Sequence, residues 1–374
     1  MAARPGFSLF VAIMAGLGVF ASGGQAIAQS GWDDIWRFAE WYDNAENPRV
    51  QSVRFSGRFQ YEFAAVGADQ ASHDEWNVRR MRLGVKSEMF DELTVHVEAE
   101  FNPEERDPFY MRLTDAYVAW APGERLALTV GKQGVGFTMD GSTSSKELLT
   151  IDRSNLANNM WFPQEYIPGV SLSGALGKWV YQVGAYSGGE ANREFGRFNG
   201  SAFGLVSLGY DLTGELGVTD ALLRGNYVYQ NPDPANTFTR QLQHMVSANF
   251  RFETGRWGFR ADVSSGSGYL GQSDLWGVMT MPFLNLTPRL QIVGRHTWVR
   301  SEDPNGVRLA RYESEAVGGR GNRYNEFYMG VNYYFYGHKL KLQSGVQFAD
   351  MSDRALDGGA YSGVSSTTGL RVSW

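Results

Sequence analysis

The chain has 374 residues, of which 34 are basic and 40 are acidic, and it contains no cysteine. The lack of cysteine excludes disulfides and cysteine-bound zinc, and the net charge of −6 argues against a general nucleic-acid binder. Glycine (45), Phe (23), Tyr (18) and Trp (11) are abundant, which favours strands joined by turns over helices.

Residues 1–28 have the three parts of a secretory signal peptide. One positive charge, Arg4, precedes an apolar run from Phe7 to Phe20, and the segment ends in the cleavage pattern Ala-Ile-Ala over 26–28. The run is too short to span a bilayer, so we predict a cleaved signal rather than an anchor, with a buried helix as the alternative. Cleavage would leave a net charge of 34 − 1 − 40 = −7.

Residues 29–51 have a different pattern from the rest of the chain. Trp32, Ile35, Trp36 and Ala39 recur at helical spacing, which predicts a short amphipathic helix ahead of the strand-rich part of the chain. Three positions for this helix remain open. It could rest against the end of the strand-built domain, lie at a membrane interface, or contact a neighbouring subunit.

From residue 52 onward, apolar and polar side chains alternate with a period of two, as in VRFSGRFQYEF over 53–63. The alternation recurs in about 16 segments of roughly 9–11 residues, the length at which a tilted strand crosses a bilayer. Short turns such as MFDE and PGER alternate with longer polar loops, as in outer-membrane barrels, whose short turns are periplasmic. We therefore predict a 16-stranded antiparallel transmembrane β-barrel over 52–374, with 29–51 in the periplasm.

The size of this barrel decides which face meets lipid. About 16 strands enclose an interior too wide for side chains to fill, so the apolar face must contact lipid and the polar face a watery lumen. The opposite register would place Arg54 and Arg58 in hydrocarbon, at about 2–4 kcal/mol each near the midplane. A soluble β-sandwich or propeller is the alternative, but no blade-length repeat supports a propeller.

The longest connection, residues 136–168, follows the fifth strand and is therefore the third outer loop. Loops of this length are uncommon unless they have a function. Folding inward to narrow the pore is the natural use in a wide barrel, and we predict a constriction loop that carries Lys146 and Arg153. An extracellular lid is the alternative.

The polar parity of the strands places more basic than acidic side chains in the lumen. The 13 basic residues are Arg54, Arg58, Arg80, Arg82, Lys86, Arg112, Arg224, Arg251, Arg260, Arg295, Lys339, Lys341 and Arg371, and the 7 acidic residues are Glu62, Glu98, Glu100, Asp115, Glu253, Asp262 and Glu326. Basic side chains along a pore favour anions. We predict that Arg54, Arg58, Arg80, Arg82, Lys86 and Arg112 line the anion path. Alternatively, these charges pair across the wall and only stiffen it.

The sequence offers no catalytic constellation. The five His residues are scattered without an H-E-x-x-H pattern, and no G-x-S-x-G pattern occurs. We therefore predict no catalytic residues, no metal site and no cofactor.

The chain ends in GLRVSW, in which Leu370, Val372 and Trp374 alternate with polar residues. A terminal aromatic that closes a final strand resembles the signal that outer-membrane barrels present to their assembly machinery. The alternative is an ordinary last strand.

Five motifs occur in the order RRMRLGVKSEMFDELTVHVEAEF, LTDAYVAW, LALTVGKQGVGFT, TSSKELLTIDRS and PGVSLSG. This order resembles the phosphate-selective porins, the O/P type, of Gram-negative outer membranes, most strongly from about residue 52 to residue 187. The resemblance implies a 16-stranded barrel, a homotrimer, an inward third loop and an arginine-lined anion path. Carried over by position, that path comprises Arg54, Arg58, Arg80, Arg82 and Lys86, with Lys146 and Arg153 from the loop.

Two features depart from the family pattern. Asp140, Glu147, Asp152 and Glu165 make the loop less basic, and the N-terminal segment is short for a periplasmic coiled coil. The sequence predicts an outer-membrane porin, a passive channel that prefers small anions such as phosphate or polyphosphate. A porin without phosphate selectivity, a barrel enzyme such as a lipase or protease, and a plugged structural barrel are the alternatives.

Overall fold

The computed structural model describes residues 28–374, apart from the side chains of residues 28–30, 199 and 200. The prediction of a signal peptide over 1–28 therefore lies almost entirely outside the described residues. The described chain is dominated by one antiparallel sheet of 17 strands. Its strands are β1 (Glu40–Asp43), β2 (Val50–Ala68), β3 (Ser72–Met89), β4 (Leu93–Phe101), β5 (Tyr110–Gly123), β6 (Leu126–Gly134), β7 (Tyr166–Leu176), β8 (Trp179–Gly189), β9 (Arg197–Asp211), β10 (Asp220–Gln230), β11 (Leu242–Thr254), β12 (Trp257–Gly268), β13 (Leu275–Asn285), β14 (Leu290–Ser301), β15 (Arg323–Tyr336), β16 (Leu340–Ser352) and β17 (Tyr361–Ser373).

The strands β2 to β17 form a closed barrel. Each pairs with the next, and β17 returns to β2 with a register from Gly363 opposite Ala68 to Ser373 opposite Arg58. The prediction of a 16-stranded antiparallel barrel is confirmed. The barrel strands run from 9 to 19 residues, and ten of the sixteen are longer than the predicted 9–11 residues. The β2–β3 hairpin continues to the pair Gly67–Ser72, which leaves only residues 69–71 as the first outer connection.

The two faces of the wall differ as the alternation predicts. Tyr61, Val97 and Met329 point outward with exposed fractions of 38%, 49% and 67%, whereas Arg58 and Glu62 point inward and are buried. Large apolar side chains on the outside of a closed barrel of this width are suited to contact with lipid. The polar side chains therefore face the lumen.

The two ends of the barrel carry connections of different length. At one end the turns are short, and two of them use glycine in the left-handed region, Gly255 with φ 56° and Gly337 with φ 51°. The end with short turns is the periplasmic one in outer-membrane barrels. Three short helices lie within connections: α2 (Asn155–Met160), α3 (Thr213–Leu216) and α4 (Glu313–Ala316).

The N-terminal segment packs against the end of the barrel that carries the short turns. It consists of helix α1 (Ala28–Trp36), a 3-10 turn (Arg37–Ala39) and β1. The indole Nε1 of Trp36 donates a 2.7 Å hydrogen bond to the carbonyl of Ser373. The predicted short helix is present, and it rests against the end of the barrel, which is the first of the three open positions. No helix in residues 28–374 has both the length and the apolarity needed to cross a membrane.

The sequence pattern does not predict strand β1, because this strand forms through contacts with residues of the barrel. β2 extends beyond the end of β17, so the backbone groups of residues 52–54 have no partner in that strand. β1 pairs with these residues, and Trp41 stacks on Phe55 with ring centroids 5.4 Å apart. An unpaired backbone edge is costly, and a short neighbouring segment is therefore drawn into the sheet.

Candidate functional site: the constriction loop and its arginines

The loop between β6 and β7, residues 135–165, folds into the barrel. Asn332 of the wall donates to the carbonyl of Leu149 at 2.8 Å, and the ammonium of Lys341 donates to the carbonyl of Leu148 at 2.7 Å. The guanidinium of Arg295 donates to the carbonyl of Asp152 at 2.8 Å. These bonds hold residues 148–152 of the loop against the inner wall of the barrel.

One side of the loop is apolar and packs on the inner wall of the barrel. This packing explains why the loop runs into the barrel. Helix α2 is capped by Ser154, whose hydroxyl accepts from the backbone N–H of Ala157. Its side chains Leu156 and Met160 are buried in the main hydrophobic core. A Cβ at Gly277 would lie 2.8 Å from the Leu156 side chain, so this glycine permits the close approach of α2 to the wall.

Glu165, at the end of the loop, holds three arginines. Its carboxylate lies 3.2 Å from Arg153 of the same loop, 3.2 Å from Arg80 and 3.6 Å from Arg82 of the wall. Burial acts to raise the pKa of Glu165, but the positive charges, Arg153 first, outweigh it and hold the pKa well below its usual value. Glu165 is therefore a carboxylate that joins the loop to the wall.

A central cavity lies between the loop and the wall, and its lining is rich in arginine. Six arginines and three carboxylates line it: Arg79, Arg80, Arg153, Arg240, Arg295, Arg311, Asp152, Glu165 and Glu313. Arg79 reaches it through a β-bulge, because Arg80 lies opposite Gln60 and Val78 lies opposite Tyr61. The extra residue turns both neighbouring arginines toward the lumen.

An outer vestibule adjoins the central cavity and shares Arg79, Arg80 and Arg311 with it. On the other side of the loop a third cavity opens toward the periplasmic turns. Leu148 lines the central cavity and Leu149 lines the periplasmic one, so this part of the loop separates the two spaces. The arrangement suits a narrowed aqueous path with a positively charged middle.

The eight predicted path residues fall into three groups. Arg80, Arg112 and Arg153 line the central cavity or the vestibule. In these positions Arg112 also pairs with Glu100 at 2.8 Å, and the Arg153 guanidinium lies 4.4 Å from the ring centroid of Trp161.

The second group fastens the wall and the loop together instead of lining a described cavity. Arg58 pairs with Glu98 at 3.1 Å and donates to Ser145 of the loop at 2.7 Å. Arg82 is fully buried and pairs with Glu100 at 3.1 Å. The ammonium of Lys146 donates to the backbone carbonyl of Trp374 at 2.9 Å.

The third group lies near the periplasmic rim. Arg54 is half exposed and lies 3.8 Å from Asp43, and Lys86 is half exposed and lies 3.9 Å from Glu88. The alternation predicts that both side chains point away from lipid, but it gives no information on their depth along the barrel axis. These two residues are therefore not next to the constriction.

Three arginines of the central cavity are not predicted from the sequence. Strict alternation assigns Arg79 to the lipid face, and Arg240 and Arg311 lie in outer loops with no period to place them. The dipeptide Arg79–Arg80 was itself a signal, because a regular strand would expose one of the two to lipid. Within residues 28–374, no group of His, Asp and Glu side chains is arranged to hold a metal ion.

The closed barrel, the loop inside it and the arginine-rich cavity point to a diffusion channel of the porin class. The sequence profile of the family "Phosphate-selective porin O and P" matches residues 53–288, more than half of the chain. The chain belongs to this family, and the prediction of an anion-preferring porin of the Gram-negative outer membrane is confirmed at that level. A comparison with curated proteins gives no match.

Solved structures with the same fold support the barrel architecture. The anion-selective porin from Comamonas acidovorans is 10% identical with a TM-score of 0.60, and the alignment covers 86% of this chain and 99% of that one. The outer-membrane channel DcaP of Acinetobacter baumannii is 15% identical with a TM-score of 0.58, covering 86% and 97%. The trimer form of OmpT, an outer-membrane protein of Vibrio cholerae, is 12% identical with a TM-score of 0.54, covering 86% and 99%.

Proposed function

We propose that the chain is a passive channel that carries small anions, phosphate or short polyphosphate among them, across the outer membrane. No bond is made or broken, and solutes move down their gradient through the vestibule, the central cavity and the periplasmic opening. The observation that carries this proposal is the composition of the central cavity, which is lined by six arginines and only three carboxylates.

The positions of these arginines support selection by charge. An arginine beside a narrow path replaces part of the hydration of an anion and attracts it over several ångströms. Its planar fork also matches phosphate and carboxylate oxygens. Arg311 is suited to this role because it lines both the cavity and the vestibule and forms no ion pair with a carboxylate among the described residues.

A general porin without phosphate selectivity is the second candidate, and one observation favours it. Arg80, Arg82 and Arg153 share the carboxylate of Glu165, so part of the positive charge at the constriction is neutralised. A neutralised guanidinium attracts a passing anion less and has fewer free N–H groups. The two candidates differ in how strongly phosphate is preferred over chloride.

Reversal potentials in planar bilayers decide between them. Under a KCl gradient we expect a potential of the sign given by chloride permeation, and added phosphate should reduce the chloride current at millimolar concentrations. Chloride preference without inhibition by phosphate supports the general porin. Cation preference contradicts the proposed function.

We also propose that the chain is exported by a signal peptide over 1–28 and that 29–51 forms its periplasmic segment. Assembly would proceed through the barrel-assembly machinery, with the last strand ending at Trp374 as the recognition element. A homotrimer in outer-membrane lipid is supported by the trimer form of the OmpT neighbour. Light scattering of the purified protein tests the trimer, and a monomeric mass contradicts it.

A further inference from the structure

Two arginines point away from the lumen at the end of the barrel that carries the long loops. In β14, Arg300 follows Trp298 on the outward side of the strand, and its neighbours Val299 and Ser301 are buried. In β15, Arg323 is the first residue and lies on the outward side. Both arginines are exposed, and neither lines the central cavity, the vestibule or the periplasmic cavity. They therefore belong to the outer surface of the wall and not to the path through it.

The strand register places these two arginines side by side. Arg300 lies directly opposite Arg323 in the pairing of β14 with β15, and Trp276 of β13 lies directly opposite Arg300. In an antiparallel pair, the Cβ atoms of directly opposite residues are about 4.5–5.5 Å apart. Trp276, Arg300 and Arg323 thus form one row across three strands, which we call the outer row.

The two charges of the outer row have no partner within the part of the chain that the structure describes. No side chain of residues 28–374 forms an ion pair or a hydrogen bond with either guanidinium. By contrast, Arg193 and Arg197, at the same end of the barrel, share the carboxylate of Glu190 at 2.8 and 3.0 Å. Like charges directly opposite each other in a sheet are destabilising, so an anionic ligand from outside the chain would stabilise the row.

Acidic residues close to the outer row in sequence or in the sheet contact other groups. The carboxylate of Asp274, which precedes β13, accepts from the backbone N–H of Gly268 at 2.7 Å. The carboxylate of Asp350 in β16 accepts from the side-chain amide of Asn325 at 3.4 Å. Glu302, which follows β14, forms no ion pair with either arginine. The row therefore keeps its positive charge.

An aromatic surface lies next to the outer row, toward the middle of the wall and on the same side. Trp298 packs edge-on against Trp276 with ring centroids 4.4 Å apart. Phe327 of β15 and Phe348 of β16 lie directly opposite each other and are 56% and 54% exposed. Belts of aromatic side chains mark the level of the lipid headgroups on outer-membrane barrels. The outer row is therefore at the depth where headgroups meet acyl chains.

We propose that the outer row binds the phosphate groups of lipid A, the membrane anchor of lipopolysaccharide in the outer leaflet. Guanidinium forks bind phosphate oxygens in pairs, and two adjacent forks match a phosphate group that carries several oxygens. The acyl chains of the same molecule cover the aromatic surface beside the row. A free phosphate ion gains nothing from that apolar surface, whereas lipid A uses both parts of the site. Because the row lies outside the lumen, the inference does not depend on which solute the channel carries.

Binding of lipid A to the folded protein in detergent tests the site. Wild type and the variant R300Q/R323Q are titrated with lipid A, and native mass spectrometry gives the half-saturating concentration. The variant should raise this concentration about tenfold, because it removes both charge-assisted contacts to phosphate. The matched control R193Q/R197Q removes two exposed arginines and the same total charge, and it should leave the value within about twofold of wild type because Glu190 already neutralises them. An unchanged half-saturating concentration in R300Q/R323Q overturns the proposal.

Removal of the phosphates from the lipid shows what the arginines contact. Dephosphorylated lipid A should bind wild type about as weakly as intact lipid A binds R300Q/R323Q, and the variant should lose little further affinity. Equal losses in the two proteins contradict contact between the row and phosphate. Inorganic phosphate at millimolar concentration should leave lipid A bound to wild type, and complete displacement of the lipid would assign the row to free anions instead.

Two further measurements separate lipid binding from folding and assembly. Both side chains are exposed, so R300Q and R323Q should each fold, and each should weaken lipid A binding on its own; wild-type binding in both single variants overturns the proposal. The reversal potential of R300Q/R323Q should equal that of wild type, which distinguishes this site from the anion path. A smaller assembly mass in the variant with unchanged lipid A binding assigns the row to a contact between copies of the chain and contradicts the proposal.

Discussion

The carboxylate of Glu165 in the constriction loop lies 3.2 Å from the guanidinium of Arg80 in the barrel wall. The same carboxylate binds Arg153 of the loop, so one negative charge both fastens the loop and reduces the positive charge of the constriction. Selectivity and loop position therefore depend on the same contact. This link can be tested by removing the charge of Glu165 while its shape is retained.

Replacing Glu165 with Gln should increase the preference for anions. Three arginines then lose their shared partner, and an interaction of about 1 kcal/mol in water corresponds to about a fivefold rise in the ratio of anion to cation permeability. The reversal potential under a KCl gradient measures this ratio. Glu147→Gln is the matched control, because Glu147 lies in the same loop, is exposed and forms no ion pair among the described residues. An equal effect of the two substitutions contradicts the role of Glu165.

Replacing Arg79 with Gln should lower anion preference and weaken the inhibition of chloride current by phosphate. Arg79 lines both the cavity and the vestibule and lies 3.3 Å from Asp152. Arg54→Gln should have a smaller effect, because Arg54 is half exposed at the rim and screened by salt over about 8 Å at physiological ionic strength. Phosphate titrations of the chloride current compare the two. A larger effect at Arg54 would show that the rim, and not the bulge, controls selectivity.

Replacing Glu62 with Ala should strongly destabilise the barrel. Glu62 of β2 and Arg371 of β17 form a buried ion pair across the closing strands, and Glu62 also accepts from the hydroxyl of Tyr312. Removal of one partner of a buried pair costs about 3–5 kcal/mol. The midpoint of heat-induced unfolding on SDS gels reports the change.

The exposed ion pair between Arg251 and Asp220 provides the control for the buried pair between β2 and β17. Its side chains are 46% and 33% exposed, and an exposed pair contributes about 0–1 kcal/mol. Asp220→Ala should therefore leave the unfolding midpoint nearly unchanged. A similar midpoint for the Glu62 and Asp220 variants would show that the buried pair does not stabilise the closure.

The outer loop that carries α4 should loosen as pH rises through about 7. Burial, and then the charge of Glu326, raise the pKa of Glu313 from 4.5 to about 7. Native protein thus holds this proton more tightly than unfolded chain, so the stabilising effect is complete below pH 4.5 and is lost as pH passes 7. The hydroxyl of Tyr324, the side-chain amide of Gln347 and the backbone N–H of Ala310 donate to the Glu313 carboxylate.

Conductance and hydrogen exchange of residues 302–322 between pH 5 and pH 8 measure this loosening, with both expected to rise toward pH 8. Glu313→Gln carries no titrating carboxyl and should show little pH dependence over this range. Unchanged pH dependence in that variant would assign the effect to another group.

Sequence alone determined the fold and the side of the wall that meets lipid. A two-residue alternation repeated over a wide barrel has one stable arrangement, because buried charges in lipid cost far more than any local preference can offset. The order of the five motifs from residue 79 onward likewise sufficed to indicate the family.

Only the tertiary structure decided which charges face an open path and which are neutralised. A period of two predicts which face of the sheet a side chain lies on, but not how deep in the barrel it lies or which group it pairs with. The sequence therefore gives Arg54 and Arg58 the same prediction, although Arg54 lies at the rim and Arg58 is buried against Glu98. The bulge at Arg79 depends on the pairing of β2 with β3. Arg240 and Arg311 approach the cavity because non-local packing places their loops over helix α2, and no spacing along the chain encodes that contact.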